Sequence, residues 1–404
     1  MRRPICLLAA TLLLQGCAST LYNVPSGASD EQRYAALFPY YVEFCAVSEI
    51  RKRPGSPVDV EGGGPGGHSV LYLNGVCKDH GSDYPVIAVC NGAPSPDQGV
   101  GISVNAHYRN ANWTATEGRN FFLHGDLVPG EALTEKAYAR TQAAAKRQGV
   151  LNGIVFYDDA MKNKPASISA RDYMYEMSVA TDYAIAFGRD RYCARVPIDR
   201  RRMQGVVTYL NSVNAPYRSG EREFHWDVLR DNCAHLTHNV LATVGVWRHW
   251  PTERPLLIAA FDFPVPKNEF VNLMRRTNDL PIEHPNTIMD NDELRDALLN
   301  QDWIATRPGG LAEAERAVPV NALYDTNLRL IFYDEEVFGH YQQRFEQEFH
   351  EPRYMNLSAN FKYFASKYSE ILAQRPKNSD QNAAFYDHII REQKWLQSLQ
   401  ARLR

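Results

Sequence analysis

The sequence predicts an α+β fold, on three observations. Short β-rich runs bounded by turn residues crowd between 68 and 116. A helix with a cysteine on its apolar face follows much later, opening at Cys233 and stopping near Gly245. From about Asp290 to Arg404 the chain is polar, aromatic and helix-patterned.

Taken in order, the chain opens with Arg2 and Arg3 and an apolar run from Ile5 to Leu14, too short to span a bilayer. That run ends in Leu14-Gln15-Gly16-Cys17, the pattern of a bacterial lipobox: cleavage before Cys17 and lipid on its sulfur and amine. Residues 1–16 are therefore expected to be a lipoprotein signal peptide. Residues 17–60 would form a polar tether and an N-terminal helix from Asp30 to about Arg51. The expected place is an exported bacterial lipoprotein, in the outer membrane and facing the periplasm, since Ala18 rather than Asp follows the cysteine. Lipid on Cys17 would be its hold on the membrane.

After a linker rich in Pro and Gly, strands are expected at 68–74, 84–90, 99–105 and 112–116, arranged as an antiparallel meander. Helices are expected at 132–148 and 169–184, a short strand at 194–198 and a helix at 199–212. Beyond the cysteine helix lie a proline-rich loop to Lys267 and a helix from Asn268 to Thr277. Residues 286–404 read as a helical extension.

Composition narrows the function. With 44% apolar and 23% charged residues in 404, the chain suits a globular protein of two or three domains. A net charge of −3 argues against a nucleic-acid partner, and Arg200-Arg201-Arg202 reads as a solvated face. No cofactor or metal is expected. The Gly62–Gly67 run lacks the Lys-Ser/Thr of a phosphate loop. Asp290–Glu293 lacks the glycine and glutamate spacing of a calcium loop and reads as a helix start.

With Cys6 in the signal and Cys17 lipidated, Cys45, Cys77, Cys90, Cys193 and Cys233 remain. If Cys233 stays free, the others can form two disulfides in any of three pairings. Asp231 or Asn232 can cap the helix that Cys233 begins. Cys233, Leu236, Thr237, Val240 and Val244 share its inward face, at about 100° per residue. A thiol at the positive end of a helix is expected to have a lowered pKa. His235 and His238 point away from Cys233, about 200° and 140° round the helix, and so read as solvent-facing or locally bonded.

The base expected for a Cys233 nucleophile is His68, which opens the first strand after Gly66-Gly67. If strands 68–74 and 85–91 paired as a hairpin with Asn74 opposite Pro85, Asn91 would lie opposite His68 and orient it. A one-residue slip would bring Cys90 there instead, and Asp83 and His80 are alternative orienters from the turn.

Gly67-His68-Ser69-Val70-Leu71-Tyr72-Leu73 and, later, Asn232-Cys233-Ala234-His235 resemble the two signatures of the circularly permuted papain-like (NlpC-type) thiol enzymes. Within that group they are similar to the lecithin:retinol acyltransferase-like branch and to the periplasmic domain of the Lnb-type lipoprotein acyltransferases. The resemblance covers roughly 61–285, which would then be the catalytic domain: an antiparallel sheet plus the Cys-bearing helix. No clear second catalytic His stands on the second strand, a departure from the acyltransferase branch. What the resemblance implies is an acyl-thioester at Cys233, with His68 taking the thiol proton. The expected substrate is an acyl lipid or lipoprotein. An amidase or peptidase on cell-wall peptides is the first alternative, and a non-catalytic envelope scaffold the second.

Overall fold

The computed structural model describes residues 30–58, 67–92, 94–95, 97–261, 264–278, 307–326, 341–375 and 383–403. The signal, Cys17, Gly62–Gly66 of the glycine run and Asp290–Glu293 lie outside them. Among the described residues the protein is α+β, built on an antiparallel sheet with helices on both faces.

The chain enters through helix α1 (Asp30–Leu37) and strand β1 (Tyr41–Val47). A single helix to Arg51 was expected. Instead Pro39 ends the helical run, and the aromatic and β-branched residues after it form a strand buried on both faces. β1 is paired by β2 (His68–Asn74) on one side and by β7 (Arg191–Pro197) on the other. β3 (Val76–Lys78) and β4 (Ile87–Val89) form a separate two-stranded ribbon. β5 (Gly99–Ser103) and β6 (Thr114–Glu117) extend the main sheet beyond β2. On its far side β8 (Leu311–Glu315) pairs with β7, giving the order β6-β5-β2-β1-β7-β8. The meander was therefore expected with the wrong partners: the strand near 84–90 leaves β2 and folds back on β3.

Between the strands run α2 (Arg119–His124), α3 (Glu135–Gln148) and α4 (Ala170–Ser178). Then come α5 (Arg200–Arg218), α6 (Cys233–Thr243), α7 (Leu256–Phe261) and α8 (Pro266–Asn278). The last described helices are α9 (Tyr341–Glu348), α10 (Leu357–Ala373) and α11 (Ala383–Leu403). Asn356 caps α10 by accepting from the Ala359 amide at 2.9 Å. No helix among the described residues is long and apolar enough to cross a membrane.

Strand alternation divides the sheet between two cores. Val42, Phe44, Leu71, Leu73, Ile102 and Val196 face α6 and α8, packing with Leu236, Val240 and Phe270. Tyr41, Cys45, Val47, Val70 and Tyr72 face the other way, onto Phe122 and the C-terminal helices through Phe361, Phe364 and Ile389. Of the expected extension, α10 and α11 are thus a third layer and β8 an edge strand, whereas α9 packs through Phe345, with Phe349 just beyond it, on Phe270 of α8, on the first face. Without α10 and α11 the second face of β1 and β2 would be bare apolar surface.

Two disulfides hold this frame. Cys45–Cys193 joins β1 to β7 at a position where the register sets the two residues opposite each other. Cys77–Cys90 closes the β3–β4 ribbon. On the C-terminal-helix face Glu43 is fully buried and accepts from Arg119 at 2.6 and 2.8 Å and from Arg195 at 3.1 Å. Both arginines also reach Glu313 on β8.

Candidate active site

α6 starts at Cys233 because Asn232 caps it. The Asn232 side chain accepts from the amides of Ala234 at 2.9 Å and His235 at 3.3 Å. Its own amide donates back to the carbonyls of Val228 at 2.7 Å and Asp227 at 3.2 Å, which ties the preceding loop to the helix. Cys233 is the free cysteine among the described residues and is buried on the inward face, as the helical spacing requires.

The helix lays that face across the start of β2. Ser69 Oγ lies 3.2 Å from Thr237 Oγ1, one turn along from Cys233. The Ser69 amide and hydroxyl and the Ala234 amide lie at the sulfur and favour its thiolate, as does Arg189. Burial outweighs them and pushes the thiol above its ordinary value. The lowered pKa expected of a helix N-terminus is reversed, since the desolvation cost of a closed apolar site exceeds what a few amides and one guanidinium return.

His68 is the neighbour of Ser69, and strand alternation turns its ring to the other face of β2. There Nε2 lies 3.0 Å from Ser103 Oγ, on the adjoining strand β5. Ser103 Oγ donates to the Thr181 carbonyl at 2.6 Å. A hydroxyl that spends its proton on a carbonyl must accept from the ring, so Nε2 carries the proton and Nδ1 keeps the lone pair. Burial and then Arg189 push the imidazole down to about 3, against the pull of the Thr181 carbonyl. Thiol and imidazole are thus both neutral at ordinary pH. The structure brings Cys233 to the residue beside His68, but the hydrogen bonds described for the His68 ring do not include the thiol.

Asn91 does not orient His68. It is exposed, just beyond β4, which pairs with β3. Cys90 is in a disulfide, and His80 bonds Glu117 at 3.1 Å on the surface. The residue that meets the imidazole is Ser103, a polar position within an apolar strand. That signal was present in the sequence, but its partnership depends on β5, not β4, lying beside β2.

Arg189 had no such signal. It is buried, donates to the Ala180 carbonyl at 2.7 Å and to the Ser48 carbonyl, and acts electrostatically on both Cys233 and His68. Burial holds its guanidinium down at about 10. Behind Ser103, Asp182 is fully buried and accepts from Asn105 Nδ2 at 2.9 Å. The turn that supplies Thr181 and Asp182 runs between Ala180 and Ala184, both at positive φ (59° and 53°), a strained backbone for alanine.

His235 and His238 turn away from Cys233 as expected, but neither faces solvent. His238 is clamped, with Nδ1 2.6 Å from Glu269 on α8 and Nε2 3.0 Å from the Arg248 carbonyl, and it stacks on Trp247. His235 is fully buried with no partner at either ring nitrogen, and burial pushes it down to about 4.

Glu43, Cys45 and Cys193 bring potential metal-ligating atoms together, but the two sulfurs are bonded to each other and Glu43 is engaged by arginines. The clefts lined by Arg195 and Glu313, by His124 and Glu315, and by Tyr84 and Asn211 do not include Cys233 in their walls. Comparison with protein-family models, with curated proteins and with solved structures finds no match to the chain.

Proposed function

We propose that the chain is an envelope lipoprotein with a permuted papain-like catalytic core, acting through an acyl-thioester at Cys233 on an acyl lipid or lipoprotein. One observation carries the reading. A chain whose other described cysteines are all in disulfides keeps one free thiol, at a capped helix N-terminus packed on the strand that opens with His68. An unpaired thiol in an exported protein needs a reason, and acyl chemistry supplies one.

In this mechanism the sulfur attacks the ester, amide or thioester carbonyl and its proton passes to Nδ1 of His68. The carbonyl oxygen becomes an oxyanion that amides at the helix start can stabilise. Collapse expels the leaving group, which takes the proton from the imidazolium, and the acyl group stays on sulfur. Water, a hydroxyl or an amine then takes it. Ser103 would fix the tautomer that leaves Nδ1 as acceptor. Proton transfer needs Nδ1 within ~3 Å of the sulfur, so the ring must move toward the thiol when substrate enters.

The test is intact-mass analysis after incubation with an acyl-thioester probe, an acyl phospholipid and muropeptides. The expected result is an acyl adduct on Cys233 from the lipid-like donors, lost in Cys233→Ser and slowed in His68→Ala. Adducts formed only with muropeptides would replace the lipid reading by the cell-wall one. The competing reading is a non-catalytic scaffold, favoured by the engagement of the His68 ring with Ser103 and by the raised thiol pKa. No adduct with any donor, together with an unchanged cell phenotype in both variants, would establish it.

A further inference from the structure

Asp182 is a buried acid that the proposed mechanism leaves unused. It stands in the turn after α4, one residue past the Thr181 carbonyl that takes the Ser103 proton. Its backbone is already held. The amide donates to the Ser178 carbonyl at 2.8 Å, and the carbonyl accepts from Thr116 Oγ1 at 2.8 Å. The turn is therefore tied to its neighbours without help from a carboxylate.

On the side chain, Oδ2 accepts from Asn105 Nδ2 at 2.9 Å. Asn105 Oδ1 is taken by the His107 amide at 3.0 Å, so the amide nitrogen is what faces the acid. Oδ1 of Asp182 has no hydrogen bond. Burial works against the ionised form, while Asn105 and the Ser178, Tyr108 and Ser103 hydroxyls work for it. A buried carboxylate oxygen without a partner is costly to keep, and its position calls for a reason.

The position is one hydroxyl away from the proposed base. Ser103 Oγ lies 3.0 Å from Nε2 of His68 and has one proton, with two acceptors beside it: the Thr181 carbonyl and the Asp182 carboxylate. With acceptors on that side, the hydroxyl can only accept from the ring. Arg189 supplies a second reason. Its charge opposes protonation of His68, and Asp182 is the fully buried acid that acts on Arg189. A ring that must take up a proton beside a guanidinium gains from a negative charge close by.

We infer that Asp182 is a positioning residue for His68: through Ser103 it holds the ring in the Nε2–H tautomer, and its charge offsets Arg189 when the ring takes the thiol proton. The tautomer is a property of the resting chain, and the charge role rests on the acyl-transfer reading above. The proton moves from sulfur to Nδ1 and on to the leaving group; Asp182 neither gains nor loses one.

The experiment uses the full chain labelled with 15N-histidine, the His68 signals being assigned by their loss in His68→Gln. Two neutral variants, Asp182→Asn and Asp182→Ser, guard against a loss of fold in one. Both should move the His68 Hε2 resonance upfield, as the Ser103 acceptor weakens. In a Ser103→Ala background neither should move it further. An unmoved resonance, or an equal shift without Ser103, overturns the link. For the charge role, acyl transfer from an alkyl ester, whose leaving group needs a proton, should slow by about 100-fold. Transfer from a p-nitrophenyl ester, whose leaving group needs none, and the iodoacetamide rate at Cys233 should hold. Equal slowing of both esters overturns that role. If the wild-type chain accepts no donor, the acyl reading falls and takes the charge role with it, while the resonance still decides the tautomer.

Discussion

Ser69 and His68 are neighbours on β2 that serve opposite faces of the sheet: Ser69 lies at the Cys233 thiol and against Thr237, and the His68 ring meets Ser103 at 3.0 Å. A dyad between Cys233 and His68 must therefore form around the edge of the strand. Both neutral forms are favoured at rest, so the reaction would begin from thiol and imidazole, not from an ion pair.

That resting state sets the pH dependence of the thiol. Because burial raises the Cys233 pKa, its alkylation rate should go on rising with pH past about 9, where an ordinary thiol would be levelling off. Ser69→Ala removes a group that favours the thiolate and should move the midpoint higher still. Iodoacetamide rates between pH 6 and pH 11 measure this, and a midpoint below about 7 would contradict the buried neutral thiol.

For His68 the sign runs the other way in stability. Its folded value is depressed to about 3, so between there and about 6.5 the unfolded chain binds a proton that the folded chain does not. Stability from this group is present above about 6.5 and lost as pH falls toward 3, to a limit of about 5 kcal/mol. His68→Gln should flatten the slope of unfolding free energy against pH by nearly one proton in that window. Denaturant titrations across the window give the slope, and an unchanged one refutes the assignment.

His235 is a buried ring with two unpartnered nitrogens, and a group of that kind destabilises. His235→Leu should raise stability by about 1–3 kcal/mol at pH 5, and by less at pH 8, where the ring is neutral in both states. Thermal melts at the two pH values test it. A loss of stability at both would mean that the ring has a partner the structure does not describe.

Glu43 should be among the costliest single changes in the sheet. It is fully buried between Arg119 and Arg195, which hold its carboxyl down at about 2. Glu43→Gln takes the fully buried carboxylate from two buried guanidinium groups, which keep only the more exposed Glu313 and, for Arg119, Glu31, and is expected to cost up to about 3–5 kcal/mol. The exposed pair Lys146–Asp172 is the contrast, with Lys146→Ala costing less than about 1 kcal/mol. Equal effects in chemical unfolding would remove the Glu43 cluster from any structural role.

The cross-links can be checked directly. Alkylation of the unreduced, denatured protein should modify Cys233, and mapping should recover Cys45–Cys193 and Cys77–Cys90 peptides. By chain entropy the two bridges, with separations of 148 and 13 residues, contribute about 5 and about 3 kcal/mol. Cys45→Ala/Cys193→Ala should therefore lower the melting temperature more than the corresponding pair in the ribbon.

Local chemistry was enough to read several of these features from the sequence. Asn232 before Cys233 predicted a capped helix start, and 100° spacing predicted that Cys233 would face inward with His235 and His238 turned away. The odd cysteine count left one thiol over if the rest paired. The cap and the helix faces depend on residues within a turn or two of one another, where backbone geometry alone decides, and the leftover thiol depends on counting alone. The tertiary structure decided everything that depended on which strand lies beside which. It paired β2 with β1 and β5, replaced Asn91 by Ser103, brought in Arg189 and chose the disulfides. It also turned α10 and α11 from a separate extension into the layer that buries the second face of the sheet. Strand neighbours are selected by how two whole apolar faces can be covered at once, and no short window of sequence contains both faces.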